Sequence, residues 1–200
     1  MVEIKAVIFD YNGVVTALGK FDSLIVEYAK LCGVSQEVLE KVVREGWQLA
    51  RVGAIDSMEF WRRIAEVVGY STERLRMEWL ARFPIRQEVL LIVGILRTKG
   101  YKTALLTNEI KDWMEEVIPA YSMQYCFDAI VTSYDVGVAK PDRQMFDAVM
   151  DRLGVHAKDC VFIDDQTKNT LAAEKLGFKV ILFSTVEQMK EDLNNFGVKI

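Results

Sequence analysis

Near the start of the chain the four apolar residues Ala6-Val7-Ile8-Phe9 stand together and are rich in β-formers, which predicts a short strand buried on both faces. The run ends at Asp10-Tyr11-Asn12-Gly13, where Asn-Gly marks a turn. Helical spacing follows. Ile25, Tyr28, Ala29 and Cys32 share one stripe, and Leu39, Val42 and Val43 share another behind Ser35, a candidate N-cap. Phe60, Trp61, Ile64, Ala65 and Val68 form the clearest stripe, with Asp56 and Glu59 spaced as in a capping box. A further helix is predicted from Thr72 to Arg82, stopping before Pro84. Residues 17–84 thus read as all-helical.

From residue 86 the pattern alternates. A helix runs to Lys99 and ends at Gly100, a good residue just past a helix end. Strands are predicted at Thr103-Ala104-Leu105-Leu106, Ala129-Ile130-Val131, Val161-Phe162-Ile163 and Val180-Ile181-Leu182-Phe183. Between them lie helices carrying Trp113, Val117 and Ile118, then Phe146, Val149, Met150 and Leu153, then Leu171 to Leu176, with a last amphipathic helix at the end. Strands alternating with helices predict an α/β fold, a doubly wound and mainly parallel sheet. The first strand joins that sheet only if the helical block is an insertion. The expected organisation is a core of residues 1–16 and 85–200 with an inserted α-helical cap at 17–84.

Composition narrows the function classes. With 200 residues, 51% of them apolar, the chain can bury a sizeable core. The net charge is -4 and both signs are mixed along the chain, so no basic stripe argues for nucleic acid. No apolar stretch approaches the ~20 residues of a membrane span. Cys32, Cys126 and Cys160 are odd in number and far apart, which suits small core residues and a reducing, cytoplasmic setting. The oligomeric state is left open.

In a doubly wound sheet, ligands bind beyond the carboxyl ends of the strands. Those positions hold Asp10 and Asn12, then Thr107 and Asn108, then Lys140 and Pro141 in a loop, then Asp164 and Asp165. Carboxylates that repel one another at one site call for a cation, and hard oxygen ligands favour Mg²⁺. A lysine beside them offsets the charge of a bound anion. This pattern suits phosphoryl transfer to a carboxylate nucleophile.

The order Phe9-Asp10-x-Asn12-Gly13-Val14, Leu105-Leu106-Thr107-Asn108, Lys140-Pro141-Asp142, Phe162-Ile163-Asp164-Asp165 resembles the haloacid dehalogenase superfamily. The helical insert is similar to that family's small cap. The resemblance implies a Mg²⁺-dependent hydrolase acting on a small phosphorylated substrate, with Asp10 as the nucleophile that becomes an aspartyl phosphate. Thr107 would bond the phosphoryl oxygens, helped by backbone N–H groups near Gly13 and Asn108. Lys140 would neutralise the phosphate and orient Asp10. Asp10, the main-chain carbonyl of Asn12 and Asp164 would bind Mg²⁺, Asp165 would act through a metal-bound water, and Asn169 would steady that loop.

Asn12 departs from the family pattern, since phosphatases of this family usually carry an aspartate there as acid and base. An amide can do neither job. That departure keeps open a protein that binds Mg²⁺ and phosphorylated ligands with little turnover. A 2-haloacid dehalogenase is the other alternative, although Asp164-Asp165 would repel its carboxylate substrate without a cation. His156 reads as a surface residue. Trp47, Met58, Trp61 and Trp79 read as packing. Arg44, Arg51, Arg62 and Arg63 are either solvated or include a substrate contact.

Overall fold

The computed structural model describes residues 3–200. The expected strands are present as β1 (Ala6–Phe9), β2 (Lys102–Thr107), β3 (Ala129–Thr132), β4 (Cys160–Asp164) and β5 (Lys179–Leu182). They form one parallel sheet in the order β3-β2-β1-β4-β5. The continuous apolar run of β1 is explained by its central place, with neighbours on both edges and helices on both faces. Val7 and Phe9 pack to one side, Ala6 and Ile8 to the other, as a period of two requires.

The helices are α1 (Asp22–Cys32), α2 (Gln36–Ala50), α3 (Ser57–Val68), α4 (Thr72–Leu80), α5 (Gln87–Thr98), α6 (Lys111–Ala120), α7 (Met123–Cys126), α8 (Ser133–Val136), α9 (Arg143–Leu153), α10 (Thr167–Lys175) and α11 (Val186–Asn195). Buried residues of α5 and α11 cover one face of the sheet, and those of α9 and α10 the other. No helix among the described residues is long and apolar enough to cross a membrane.

Helices α1–α4 fill the chain between β1 and α5. Two segments connect them to the sheet, and these lie side by side. Thr16 and Ile85 form an antiparallel bridge, and Arg86 N–H donates to Val15 O at 2.8 Å. The Arg86 guanidinium also donates to Gly13 O at 2.9 Å, Val14 O at 3.2 Å and Ala17 O at 3.3 Å, and contacts Thr16 O as well. One side chain thereby satisfies carbonyls of a turn that regular structure leaves unpaired. The four helices share one apolar cluster with the sheet. Trp61 stacks on Trp113 of α6 at 5.9 Å, and Phe83 meets Trp113 edge-on at 4.7 Å.

Several local expectations are corrected. Asp56 caps α3 by accepting from Met58 N–H, but Glu59 does not complete a capping box, because it pairs with Arg62 and Arg63 one turn on. The fourth helix ends at Leu80, short of Arg82. Helix α10 starts at Thr167, ahead of the Leu171 expected from apolar spacing, because its first turn buries the polar residues Asn169 and Thr170. A wide turn over Tyr11–Val15 and the short helices α7 and α8 carry no periodic signal. Met58 is exposed, whereas Trp61 and Trp79 are buried as packing residues. The expected core was drawn from residue 1, and residues 1 and 2 lie outside the described residues.

Candidate active site

The strand order reverses between β1 and β4, the kind of point where a crevice opens at the carboxyl edge of a doubly wound sheet. Phe9 is in register with Ile163, and Asp10 N–H donates to Ile163 O at 2.8 Å. That register brings Asp10 and Asp164 to adjacent strand ends, although 153 residues separate them in the chain. One oxygen from each of Asp10, Asp164 and Asp165 lies within 4.8 Å of the others.

Lys140 stands at the centre of this cluster and is buried. Its Nζ lies 2.7 Å from Asp10 Oδ1, 2.8 Å from Asp164 Oδ2 and 2.7 Å from Leu106 O, which uses all three ammonium donors. The loop that delivers Lys140 is fixed by Asn108. Lys140 N–H donates to Asn108 Oδ1 at 2.7 Å, and Asn108 Nδ2 donates back to Lys140 O at 3.0 Å. Asn169 Nδ2 donates to both oxygens of Asp164 at 3.0 Å, and Gln166 N–H to Oδ1 at 2.8 Å. Asp165 rests against the turn, where a Cβ on Gly13, at φ +84°, would fall 2.4 Å from Asp165 Oδ2. Glycine is required there both by the left-handed backbone and by that contact.

The electrostatics describe a centre short of positive charge. Burial pushes the Asp10 carboxyl up to about 8, with Asp164 adding to the rise and Lys140 only partly opposing it. Burial and Asp164 likewise raise Asp165. Burial lowers Lys140, but Asp10 and Asp164 outweigh it and hold the ammonium above its usual range. Three carboxylates face one ammonium, and Asp165 Oδ1 is buried without a partner. This all-oxygen donor set fits a hard divalent cation such as Mg²⁺. Thr107 Oγ1, at the end of β2, is also buried without a partner, a hydroxyl left free for an acceptor brought by a ligand.

The expected residues Asp10, Asn12, Gly13, Thr107, Asn108, Lys140, Asp164, Asp165 and Asn169 therefore gather at one edge. One is engaged differently from expectation: Gly13 N–H, expected near phosphate, donates to Thr16 Oγ1 at 3.2 Å. The Asn108 side chain is occupied with Lys140, and the expectation for that residue concerned its backbone N–H. Sequence reasoning missed Glu109. It is completely buried, accepts from Asn12 Nδ2 at 2.6 Å and from Ile110 N–H at 2.9 Å, and is pushed up to about 8 by its burial. Its place directly after Thr107-Asn108, beyond a predicted strand, was the one available signal.

A cavity of about 450 Å³ is lined by Asp10 and Lys140 together with Phe21, Val43, Trp47 and Arg51 of the inserted segment. Trp47, expected as packing, is half-buried in that wall. Arg62 and Arg63 are tied to Glu59 on the surface, and Arg44 to Asp22 and Glu40 at the cavity rim. His156 is exposed, as expected.

Comparison with known proteins places this geometry in context. The chain is 27% identical over 194 residues to D-ribitol-5-phosphate phosphatase of Bacteroides thetaiotaomicron, covering 88% of this chain and 90% of that protein. It is 30% identical over 113 residues to acyl-CoA dehydrogenase family member 10 of Mus musculus, of which it spans only 10%. Among solved structures, a HAD family enzyme from Bacteroides thetaiotaomicron in a magnesium complex superposes with a TM-score of 0.76 at 26% identity, covering 92% of this chain and 94% of that one. The sequence model of the haloacid dehalogenase-like hydrolases matches residues 4–177. With that match spanning most of the chain and the motif residues converging at one sheet edge, the protein belongs to the haloacid dehalogenase-like hydrolase family.

Proposed function

We propose that the protein is a Mg²⁺-dependent phosphatase of small phosphorylated metabolites that works through an aspartyl phosphate on Asp10. The observation that carries this reading is the charge balance around Lys140, with three carboxylates about one ammonium beside the unpartnered Thr107 hydroxyl. Such a centre can hold a divalent cation and present donors to an anion. The likeness to a D-ribitol-5-phosphate phosphatase and to a structure solved with magnesium supports the same chemistry.

In this reading an oxygen of Asp10 attacks phosphorus, the bond from phosphorus to the ester oxygen breaks, and the leaving oxygen departs as an anion that takes its proton from solvent. Water then attacks the aspartyl phosphate, which releases inorganic phosphate and restores the carboxylate. Lys140 orients Asp10 and offsets charge on the phosphoryl group. Thr107 donates to a phosphoryl oxygen, with the backbone N–H of Asn108. Asp10, Asp164 and the main-chain carbonyl of Asn12 would hold Mg²⁺, Asp165 would act through water, and Asn169 fixes Asp164. Bound Mg²⁺ supplies positive charge to the phosphoryl oxygens. Residues 17–84 serve as a cap that excludes water from the cavity over Asp10.

Asn12 sets the rate in this scheme. Its amide neither gives a proton to the leaving oxygen nor takes one from water, so aryl and acyl phosphates are cleaved better than alkyl ones and the aspartyl phosphate accumulates. Because Asn12 is also committed to Glu109, a second reading stands, a protein that binds Mg²⁺ and phosphorylated ligands with little turnover. A 2-haloacid dehalogenase fits less well, because Asp164 and Asp165 repel a carboxylate substrate in the absence of a cation.

The deciding experiment measures phosphate release from a metabolite panel with Mg²⁺ and with excess chelator. The proposal expects release only with Mg²⁺, and none from Asp10→Asn. Mg²⁺-dependent phosphate binding without release supports the second reading. Chloride release from a 2-chloroacid in chelator overturns both.

A further inference from the structure

Arg51 lies at the C-terminal end of α2, half-buried in the wall of the cavity that also contains Asp10 and Lys140. A cation near a helix C-terminus is favoured by the helix dipole, which accounts for a basic residue at this position. It does not account for the state of the guanidinium. The ion pairs among the described residues tie Arg44, Arg62 and Arg63 to acids, and none includes Arg51. Among the described residues its guanidinium makes one hydrogen bond, from a terminal nitrogen to Gln48 Oε1. Its Nε is buried with no acceptor at all. A buried donor without a partner is costly unless a ligand completes it.

The charges around the cavity identify the kind of ligand. At the catalytic end, three carboxylates, the Lys140 ammonium and one divalent cation sum to neutrality. A bound phosphate dianion therefore needs further positive charge. Lys20 and Lys168 line the same cavity and are in no ion pair among the described residues, Lys20 near enough to Asp165 to act on its carboxyl and Lys168 beside Asn169. The two lysines can offset a phosphate dianion from the cavity lining, and Arg51 adds a further positive charge that no acid pairs with among the described residues. A neutral hydroxyl on the substrate would supply Nε with an acceptor but would leave a half-buried charge uncompensated. An anionic group supplies both.

We infer that the substrate is a phosphate ester with a second anionic group, a carboxylate or another phosphate, and that Arg51 is the residue that selects it. This rests on the phosphatase reading above and adds the class of molecule that the cavity accepts. The planar guanidinium, held by Gln48, offers Nε and a terminal N–H in the fork that oxyanions accept. Gln48 is then a positioning residue.

The test uses three matched probes in the presence of Mg²⁺: glycerol phosphate, phosphoglycerate and glycerol bisphosphate. The first has no second anion, the second has a carboxylate and the third a second phosphate. A charge-assisted hydrogen bond predicts that kcat/KM for at least one doubly anionic probe exceeds that for glycerol phosphate by about 10- to 100-fold. Which of the two shows the gain distinguishes carboxylate from phosphate. In Arg51→Met that ratio collapses toward unity, and Arg51→Lys recovers part of it. Calorimetric binding of the same probes to Asp10→Asn protein gives the same order without turnover. Equal kcat/KM and equal affinity for all three probes in the unmutated chain overturn the inference, even if an Arg51 variant fails to fold. A ratio that Arg51→Met leaves intact overturns Arg51 as the selector. Failure to hydrolyse any ester, aryl phosphates included, counts against the phosphatase reading alone, because the binding order still tests the cavity.

Discussion

The side-chain amide of Asn12 donates to Glu109 Oε2 at 2.6 Å, joining the turn after β1 to a completely buried acid 97 residues away. Asn12→Asp therefore does more than restore an acid to the site. It sets two carboxyl groups at hydrogen-bond distance in a buried place, where they share one proton and titrate as a pair. Turnover of alkyl phosphates should rise by as much as ~10²–10⁴-fold, the usual range for general acid–base assistance. The pH profile of kcat should carry a limb that belongs to the pair, and Glu109→Gln in the Asn12→Asp background should move that limb to lower pH. An Asn12→Asp protein with unchanged kcat on alkyl phosphates defeats this prediction. Intact-mass analysis must accompany the kinetics, because an Asn-Gly sequence can deamidate to aspartate.

Glu109 also makes stability depend on pH. Its folded value of about 8 lies well above the ordinary glutamate value of about 4.3. Below the ordinary value both folded and unfolded chains are protonated, and the group contributes nothing. As pH rises from there to about 8, the unfolded chain loses its proton while the folded one keeps it, so the folded state is progressively disfavoured. Glu109→Gln removes that penalty, by an amount on the order of a few kcal/mol at its largest. Thermal melts of the two proteins should coincide near pH 4 and diverge in favour of the variant toward pH 8. Parallel curves across that interval would show that Glu109 keeps its charge when buried.

Metal binding should release protons. Burial and Asp164 raise the Asp10 carboxyl in the metal-free protein, and it must be ionised to act as a ligand. Apparent Mg²⁺ affinity should therefore increase as pH rises toward 8 and level off above it. Calorimetry at pH 7 in buffers of different ionisation enthalpy should give a net proton release that Asp10→Asn removes. Mg²⁺ should also raise the melting temperature, since it relieves repulsion among Asp10, Asp164 and Asp165.

Two acids of α6, Asp112 and Glu116, tie the inserted helices to the sheet domain through Arg76, and Asp112 is the more buried of them. Asp112 of α6 accepts from Trp61 Nε1 at 2.9 Å and from Arg76 Nε at 2.7 Å, in a largely buried setting. Asp112→Ala leaves the indole N–H without a partner and the Arg76 guanidinium with Glu116 alone, and should cost about 2–3 kcal/mol in denaturant unfolding. Amide exchange in α3 and α4 should speed up by more than in β1 or β4. The exposed pair Arg62–Glu59 serves as the control, since loss of a solvent-screened pair should leave the unfolding midpoint nearly unchanged. Equal effects at the two sites would mean that the aromatic contacts around Trp113, and not this acid, hold the helices in place.

The strand ends were legible because burial on both faces of a central strand demands an unbroken apolar run, and the first polar residue after each run must sit at the sheet edge. Asp10, Thr107 and Asp164 were found in that way. Glu109 was not, because nothing about its neighbours reveals that Asn12 will meet it across the fold. The α10 start was misread for a related reason. Asn169 and Thr170 are buried but polar, and Asn169 is held inside by its bonds to Asp164, so a reading based on apolar spacing passes over them. At α3 the local signal was present but lost a competition, as Glu59 found Arg62 and Arg63 closer than the helix N-terminus.

The sequence by itself determined the elements, the alternation that makes a parallel sheet, and the chemical identity of the residues at its carboxyl edge, since each follows from local spacing and from which groups tolerate burial. Tertiary structure alone decided which groups meet. It joined Asp10 to Asp164 through the register of β1 and β4, gave all three Lys140 donors to one centre, committed Asn12 to Glu109, and left Arg51 in the cavity wall while its neighbours found acids. The physical reason is that hydrogen bonds and charge pairs are settled by distance in space. A chain of this length closes such contacts across scores of residues, where local periodicity carries no information.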